Sequence, residues 1–464
     1  MTQSRVSGTS AFFCAAGRFC LRMTAVFAVI VAAAPLATLP AEAQTLTLSE
    51  AYQRMLDREV QYEILDLEQD VADELVRQAR GQRLPRVGLS INLLYTSQDI
   101  ISQDNEAFEQ GTSEYPTARI TFTVRQPIYD AVRFRELPVA RAERELVIAR
   151  AEVARNELST LLIEAYLDVA RAQISMGQAQ AMFRARTQLE RDLELQVDAG
   201  RVDADVLMRA QSDVFEAQAT MAEREFDLVN ALFELYRFTG PETDGVAFAG
   251  GAVGIPNFDA LVGTFSRERL QEMSPSIQVA RAEVDVAERQ LRATRGSFQP
   301  TADLSLELEY EQTEGSLFGG GSEIASGEVG LNLGWNIYEG GVRRSRVREG
   351  EARLQIANLR LQQAIELADL RYDALTASLQ EALQTVSAIG SEQSAASRRL
   401  AAATAQEDAG RIGPEAALEA RLRRDTLALQ SQIARLRVVQ IQSDLLALFG
   451  ALDIETLSQN FQGA

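Results

Sequence analysis

Val87-Gly88-Leu89-Ser90-Ile91-Asn92-Leu93-Leu94-Tyr95 is the stretch on which the reading of this chain turns. Apolar side chains stand at every odd position, and small or polar ones at most of the even positions. That period of two predicts a strand with two unlike faces. The pattern returns 215 residues later as Ala302-Asp303-Leu304-Ser305-Leu306-Glu307-Leu308-Glu309-Tyr310. Upstream, Arg80-Gly81 and Pro85 recur as Arg295-Gly296 and Pro300. Downstream, Pro127-Ile128-Tyr129-Asp130 is answered by Asn336-Ile337-Tyr338-Glu339. Asp198-Ala199-Gly200-Arg201 recurs 210 residues later as Asp408-Ala409-Gly410-Arg411. The chain is therefore read as two tandem copies of one unit.

Each unit contains two short strands and two long helices. Leu48 to Arg80 reads as one amphipathic helix capped by Ser49 and ended by Pro85. The strands are expected at about 86–97 and 118–129, then at about 301–310 and 328–338. The polar stretch Ser97–Pro116 and the Gly-rich stretch Gly315–Gly327 read as the loops that join them. From Ala131 to Val197 the only strong breaker is Pro138. Leu158, Leu162, Ala165, Val169, Ala172, Met176, Ala179 and Phe183 step by four and three along it, which is a heptad seam. Ile365, Ala368, Tyr372, Leu375, Leu379, Ala382, Val386 and Ile389 make the matching seam. Return helices follow Gly200 and Gly410. The domain reading is a signal peptide at 1–43, a first repeat at 44–240, a linker at 241–256, a second repeat at 257–452 and a tail at 453–464.

Arg5, Arg18 and Arg22 precede the apolar run Met23–Leu39, and Ala41-Glu42-Ala43 follows it. That is the layout of a secretory signal cut before Gln44. Both cysteines, Cys14 and Cys20, fall inside it, so the mature chain would have no disulfide and no thiolate ligand. The sequence has no His and no Lys; all 46 cationic residues are Arg. The net charge of −20 becomes −22 once the three Arg and one Glu of the signal are removed. Such acidity excludes nucleic acid as an expected partner, and the missing Lys excludes a P-loop. With neither His nor mature Cys, no carboxylate, Ser, Tyr or Arg stands in a recognisable catalytic motif. No enzyme activity, cofactor or metal is expected.

Strands of about ten residues suit a tilted bilayer crossing. Four cannot close a barrel, and an open edge in lipid leaves backbone groups unpaired at several kcal/mol each. Membrane-crossing strands would therefore have to be shared between copies, and three copies would supply twelve. Tyr95, Tyr129, Trp335 and Tyr338 near the strand ends suit an interfacial aromatic girdle, or else pack against the helices.

Taken in order, several segments resemble the TolC family of outer-membrane channel-tunnels. They are the doubled strand–strand–helix–helix unit, Gln126-Pro127-Ile128-Tyr129, Ile337-Tyr338-Glu339-Gly340-Gly341, Glu164-Ala165-Tyr166-Leu167 and the two Ala-Gly-Arg turns. The resemblance runs from about Leu46 to Leu452. It implies a mainly α fold with membrane β: a homotrimer with a 12-stranded β-barrel in outer-membrane lipid, continued by a periplasmic α-barrel. It further implies an iris-like gate at the inner tip, docked to a periplasmic adaptor and an inner-membrane ABC or proton-driven transporter. The role implied is a passive exit duct for type I protein secretion or for small-molecule and drug efflux. A periplasmic coiled-coil scaffold without a pore is the alternative.

The same resemblance places Gly200 and Gly410 at the periplasmic mouth. Asp198, Asp203 and Asp205 of one turn, with Asp408, Glu415 and Glu419 of the other, would form acidic rings there. Arg201 and Arg411 would tie neighbouring hairpins together. The family usually has an Asp six residues beyond the turn glycine; this sequence has Val206 and Ala416 there, with Asp205 and Glu415 one position earlier. Asp203 and Glu415 also suit the first turn of a helix without any gate.

Overall fold

Thr47 starts the first helix, because it closes a capping box: Glu50 N donates to Thr47 Oγ1 and Thr47 N donates to Glu50 Oε2. It takes the role expected of Ser49. The computed structural model describes residues 45–99, 112–241, 245–247, 265–315, 320–452 and 454. The expected signal peptide lies outside them, as do most of the 241–256 linker and nearly all of the tail.

In order, the elements are β1 (Thr45–Leu46), α1 (Leu48–Arg58), α2 (Val60–Gly81), β2 (Arg86–Asp99), β3 (Thr112–Tyr129), α3 (Ala131–Asp198), α4 (Ala204–Thr239) and β4 (Gly245–Val246). There follow α5 (Arg267–Met273), α6 (Pro275–Arg295), β5 (Thr301–Thr313), β6 (Ser322–Gly334), α7 (Val342–Asp408) and α8 (Pro414–Leu448). The repeat is visible in length: α3 has 68 residues and α7 has 67, while α4 has 36 and α8 has 35. At 1.5 Å per residue the two long helices each run about 100 Å.

Three boundaries depart from the sequence reading. The helix expected over Leu48–Arg80 breaks at Glu59, whose backbone is extended (φ −75°, ψ 105°). Leu48, Ala51 and Met55 of α1 bury beside α4, whereas Leu65, Ala72 and Ala79 of α2 bury against α3. The break redirects the chain, so that α1 meets α4 while α2 runs along α3. The expected loop at 97–116 is shorter, since β2 runs to Asp99 and β3 starts at Thr112. The Tyr95 and Ser97 hydroxyls donate to the Glu114 carboxylate (2.9 and 3.2 Å) and tie these polar ends together. Finally, β6 begins at Ser322 inside the expected Gly-rich loop and ends at Gly334. Its partner β5 starts at Thr301, so Trp335, Ile337 and Tyr338 have no strand to pair with.

β2, β3, β5 and β6 form one antiparallel sheet in that order. Its register lines up Val87, Val124, Leu306 and Val329 in one row and Leu89, Phe122 and Leu308 in the next. All of these share the apolar face. The intervening row is Gly88, Thr123, Glu307 and Glu328, on the other face. Val87, Leu89, Ile91 and Leu93 are each more than 60% exposed, a run of apolar surface a soluble sheet would cover.

The helices follow the strands. Near the sheet the order is α2, α3, α6, α7; farther away α4 packs on α3 and α8 packs between α3 and α7. Where these levels meet lies the waist. One buried cluster there gathers Leu48, Met55, Leu162, Tyr166, Leu235 and Leu436 among others. A second gathers Leu270, Ile277, Tyr372, Leu379, Leu445 and Phe449, with the Phe449 ring 5.0 Å from that of Phe265 and 6.0 Å from that of Tyr372. Every member of the second predicted seam, Ile365 to Ile389, is buried or half-buried.

Candidate functional site

Gly200 and Gly410 each end a long helix in the left-handed region, at φ +70° and +67°. The hydrogen bonds around them match. Gly200 N donates to Val197 O and Arg201 N to Gln196 O; Gly410 N donates to Glu407 O and Arg411 N to Gln406 O, all at 2.8 Å. The 6→1 bond closes the last turn, and a Cβ at the glycine would strain it. The return helices then start differently. Asp203 occupies the N-cap of α4 without a side-chain cap bond, whereas Gly413 caps α8 and Pro414 is its first residue.

Asp198, Asp203 and Asp205 are all exposed, as are Asp408, Glu415 and Glu419. Asp205 pairs with Arg209 one turn along (2.6 Å). Arg201 and Arg411 are exposed, and among the described residues neither forms an ion pair within the chain. Val206 explains the shifted acid: it packs on the tip cluster of Leu189, Leu193 and Ala210, so the position usually acidic faces inward. Asp205, 100° around the helix, turns to solvent. Leu418 of α8 joins the same cluster, so the tips of the two repeats touch.

The strand-end aromatics fall into two levels. Tyr129 bonds to Gln299, and the Trp335 indole N–H donates to Phe298 O (3.1 Å), so adjacent residues of one turn hold both rings beside the helices. Tyr338 is 85% exposed just beyond them. Tyr95 is nine residues along β2 from Arg86, about 30 Å at strand rise. The separation matches an apolar band of bilayer thickness.

The sequence reading missed the clasp at the waist. β1 and β4 pair in parallel, Thr45 with Gly245 and Leu46 with Val246. The Tyr166 hydroxyl reaches Leu46 O (3.1 Å) and Ala247 O (2.9 Å) from inside the core, and burial raises its pKa. A signal was present: Leu161 to Ala170 is apolar on more faces than a heptad seam needs. Among the described residues no three potential ligands group to hold a metal, and no helix is long and apolar enough to cross a membrane.

Residues 267–451 match the model of the family described as outer membrane efflux protein. That match lies in the second repeat, and the chain resembles the TolC family of outer-membrane channels. It is 25% identical over 341 residues to outer membrane protein TolC of Escherichia coli (strain K12), a match covering 69% of this chain and 65% of TolC. The chain thus spans just under two thirds of that relative. In fold it is similar to the Campylobacter jejuni CmeC outer membrane channel (TM-score 0.74, 14% identity, 89% of each chain). The outer membrane protein VceC of Vibrio cholerae is also similar (TM-score 0.67, 18% identity, 87% of this chain and 95% of that one). These likenesses support a sheet in the outer membrane and long helices reaching into the periplasm.

Proposed function

We propose that three copies of this chain close into one outer-membrane exit duct. One observation carries the reading: the sheet and the helices end on the same two sides. β2 and β6 are both unpaired edges, and α2 and α7 are the outermost helices beside them. Both helices carry unpartnered apolar stripes: Val60, Leu67 and Val71 on one, Ile356, Leu359 and Leu367 on the other. A neighbouring copy would cover stripe and edge together, and in lipid the edge cannot stay open.

The duct would be passive, opened at the Gly200 and Gly410 tips by a periplasmic adaptor and an inner-membrane transporter. The exposed acids there would ring the mouth. The strand-end aromatics would form the girdles. The mature chain would be free of cysteine, so Ser90→Cys on β2 with Asn332→Cys on β6 gives a clean test. A bifunctional maleimide should yield a ladder that stops at three; monomers only, or a ladder ending elsewhere, would reject the trimer. The cargo is then read from a deletion strain. Loss of large exoproteins without drug hypersensitivity indicates protein secretion. An intact exoproteome with hypersensitivity indicates efflux of small molecules.

A further inference from the structure

A cavity of about 470 Å³ opens at the waist, where α3, the start of α6, α7 and the end of α8 meet. Its floor is fixed by Asn156, whose side-chain amide donates to Ala447 O (2.7 Å), and by the bonded hydroxyls of Ser274 and Ser276 (3.1 Å). Val153, Leu161 and Leu448 give it apolar walls. Asp444 enters from α8, half-buried, and among the described residues it has neither a hydrogen bond nor an ion pair. Glu157 on α3 also lines the cavity, and Glu164 on α3 is near enough to act on Asp444. Arg371 on α7 is the only cation of the lining and lies beyond ion-pair distance. The local balance is negative. An ionised carboxylate held out of water without a partner is unfavourable, and a cation would remove that penalty. No third ligand converges to make the site metal-like among the described residues.

We propose that this cavity binds a small organic cation with an apolar body, its charge set against the Asp444 carboxylate. The bound molecule would bridge α3, α7, α8 and the start of α6, and so hold the waist. The proposal concerns the lining of a single copy, so the titration tests it apart from the duct reading.

The test is calorimetric titration of the full mature protein in detergent, against protein-free micelles. Benzyltrimethylammonium is the probe, since its charge does not change with pH; benzenesulfonate is the anionic comparator. The expected result is saturable binding of the cation, with benzenesulfonate weaker. Asp444→Asn should weaken the cation at least about tenfold, the scale of one lost charge-assisted contact. Arg371→Gln should leave it unchanged or tighter. Burial, opposed by Arg371 and helped by Glu164, raises the Asp444 pKa, so cation affinity should fall as the pH is lowered through that range. Should Asp444→Asn not fold, the Arg371→Gln and pH arms decide. Non-saturable uptake, equal affinity in folded Asp444→Asn, benzenesulfonate binding as strongly, or affinity independent of pH would each overturn the proposal.

Discussion

The waist and the hairpin tips are built from the same two repeats, yet they are held very differently. At the waist, seventeen buried residues form one cluster and eleven form another. At the tip only Leu189, Leu193 and Ala210 are buried together. Helices of nearly equal length in both repeats are thus anchored firmly at one level and lightly at the other. Opening at the tips would disturb little buried surface, whereas opening at the waist would break a core. Under the duct proposal, the tip is the end that could open, and the waist is the end that would stay fixed.

The contrast is easiest to break at Tyr166. Tyr166→Ala would remove a fully buried ring and its bonds to Leu46 O and Ala247 O. The expected loss is about 3–5 kcal/mol, seen as a lower Tm. Leu193→Ala at the tip should cost less, about 2 kcal/mol, because the thin cluster can collapse; a larger loss than at Tyr166 would reverse the comparison. Gly200→Ala forces a Cβ into φ +70° and should cost about 1 kcal/mol in thermal unfolding. Gly413→Ala, in ordinary extended backbone, should cost less than that.

A pH series sharpens the same picture. Burial raises the folded pKa of Asp444 above its unfolded value. The folded state then binds the proton more tightly, so the contribution is favourable at low pH and is lost as the pH rises through that window. Asp444→Asn should therefore be more stable than the parent at neutral pH, with the gap closing in acid. A gap that widens in acid would contradict the burial. The smallest effect on stability is expected from replacing Asp203, Asp205 and Glu415 together with Ala, since all three are exposed. Single-channel conductance should rise, or divalent block weaken. Unchanged behaviour in both would remove these acids from the gate.

Much of this architecture was legible in the chain. The alternation of Val87–Tyr95 and its echo at Ala302–Tyr310 marked strands whose two faces the register then kept apart. The heptad seam from Ile365 to Ile389 is buried or half-buried along α7, and both turn glycines adopt positive φ. These features depend on local periods and on the steric freedom of one residue, so they survive without knowledge of neighbours.

What only the tertiary structure decided depends on partners distant in sequence. β6 stops at Gly334 because β5 has no residue left to pair, a fact absent from its own alternation. Val206 faces inward because Leu189 and Leu193 lie on another helix. Tyr166 became a clasp because β1 and β4, about 200 residues apart, meet over it. The periodicity of a segment sets which side of it must be covered; only packing sets what covers it, where it ends and which polar group is left facing a cavity.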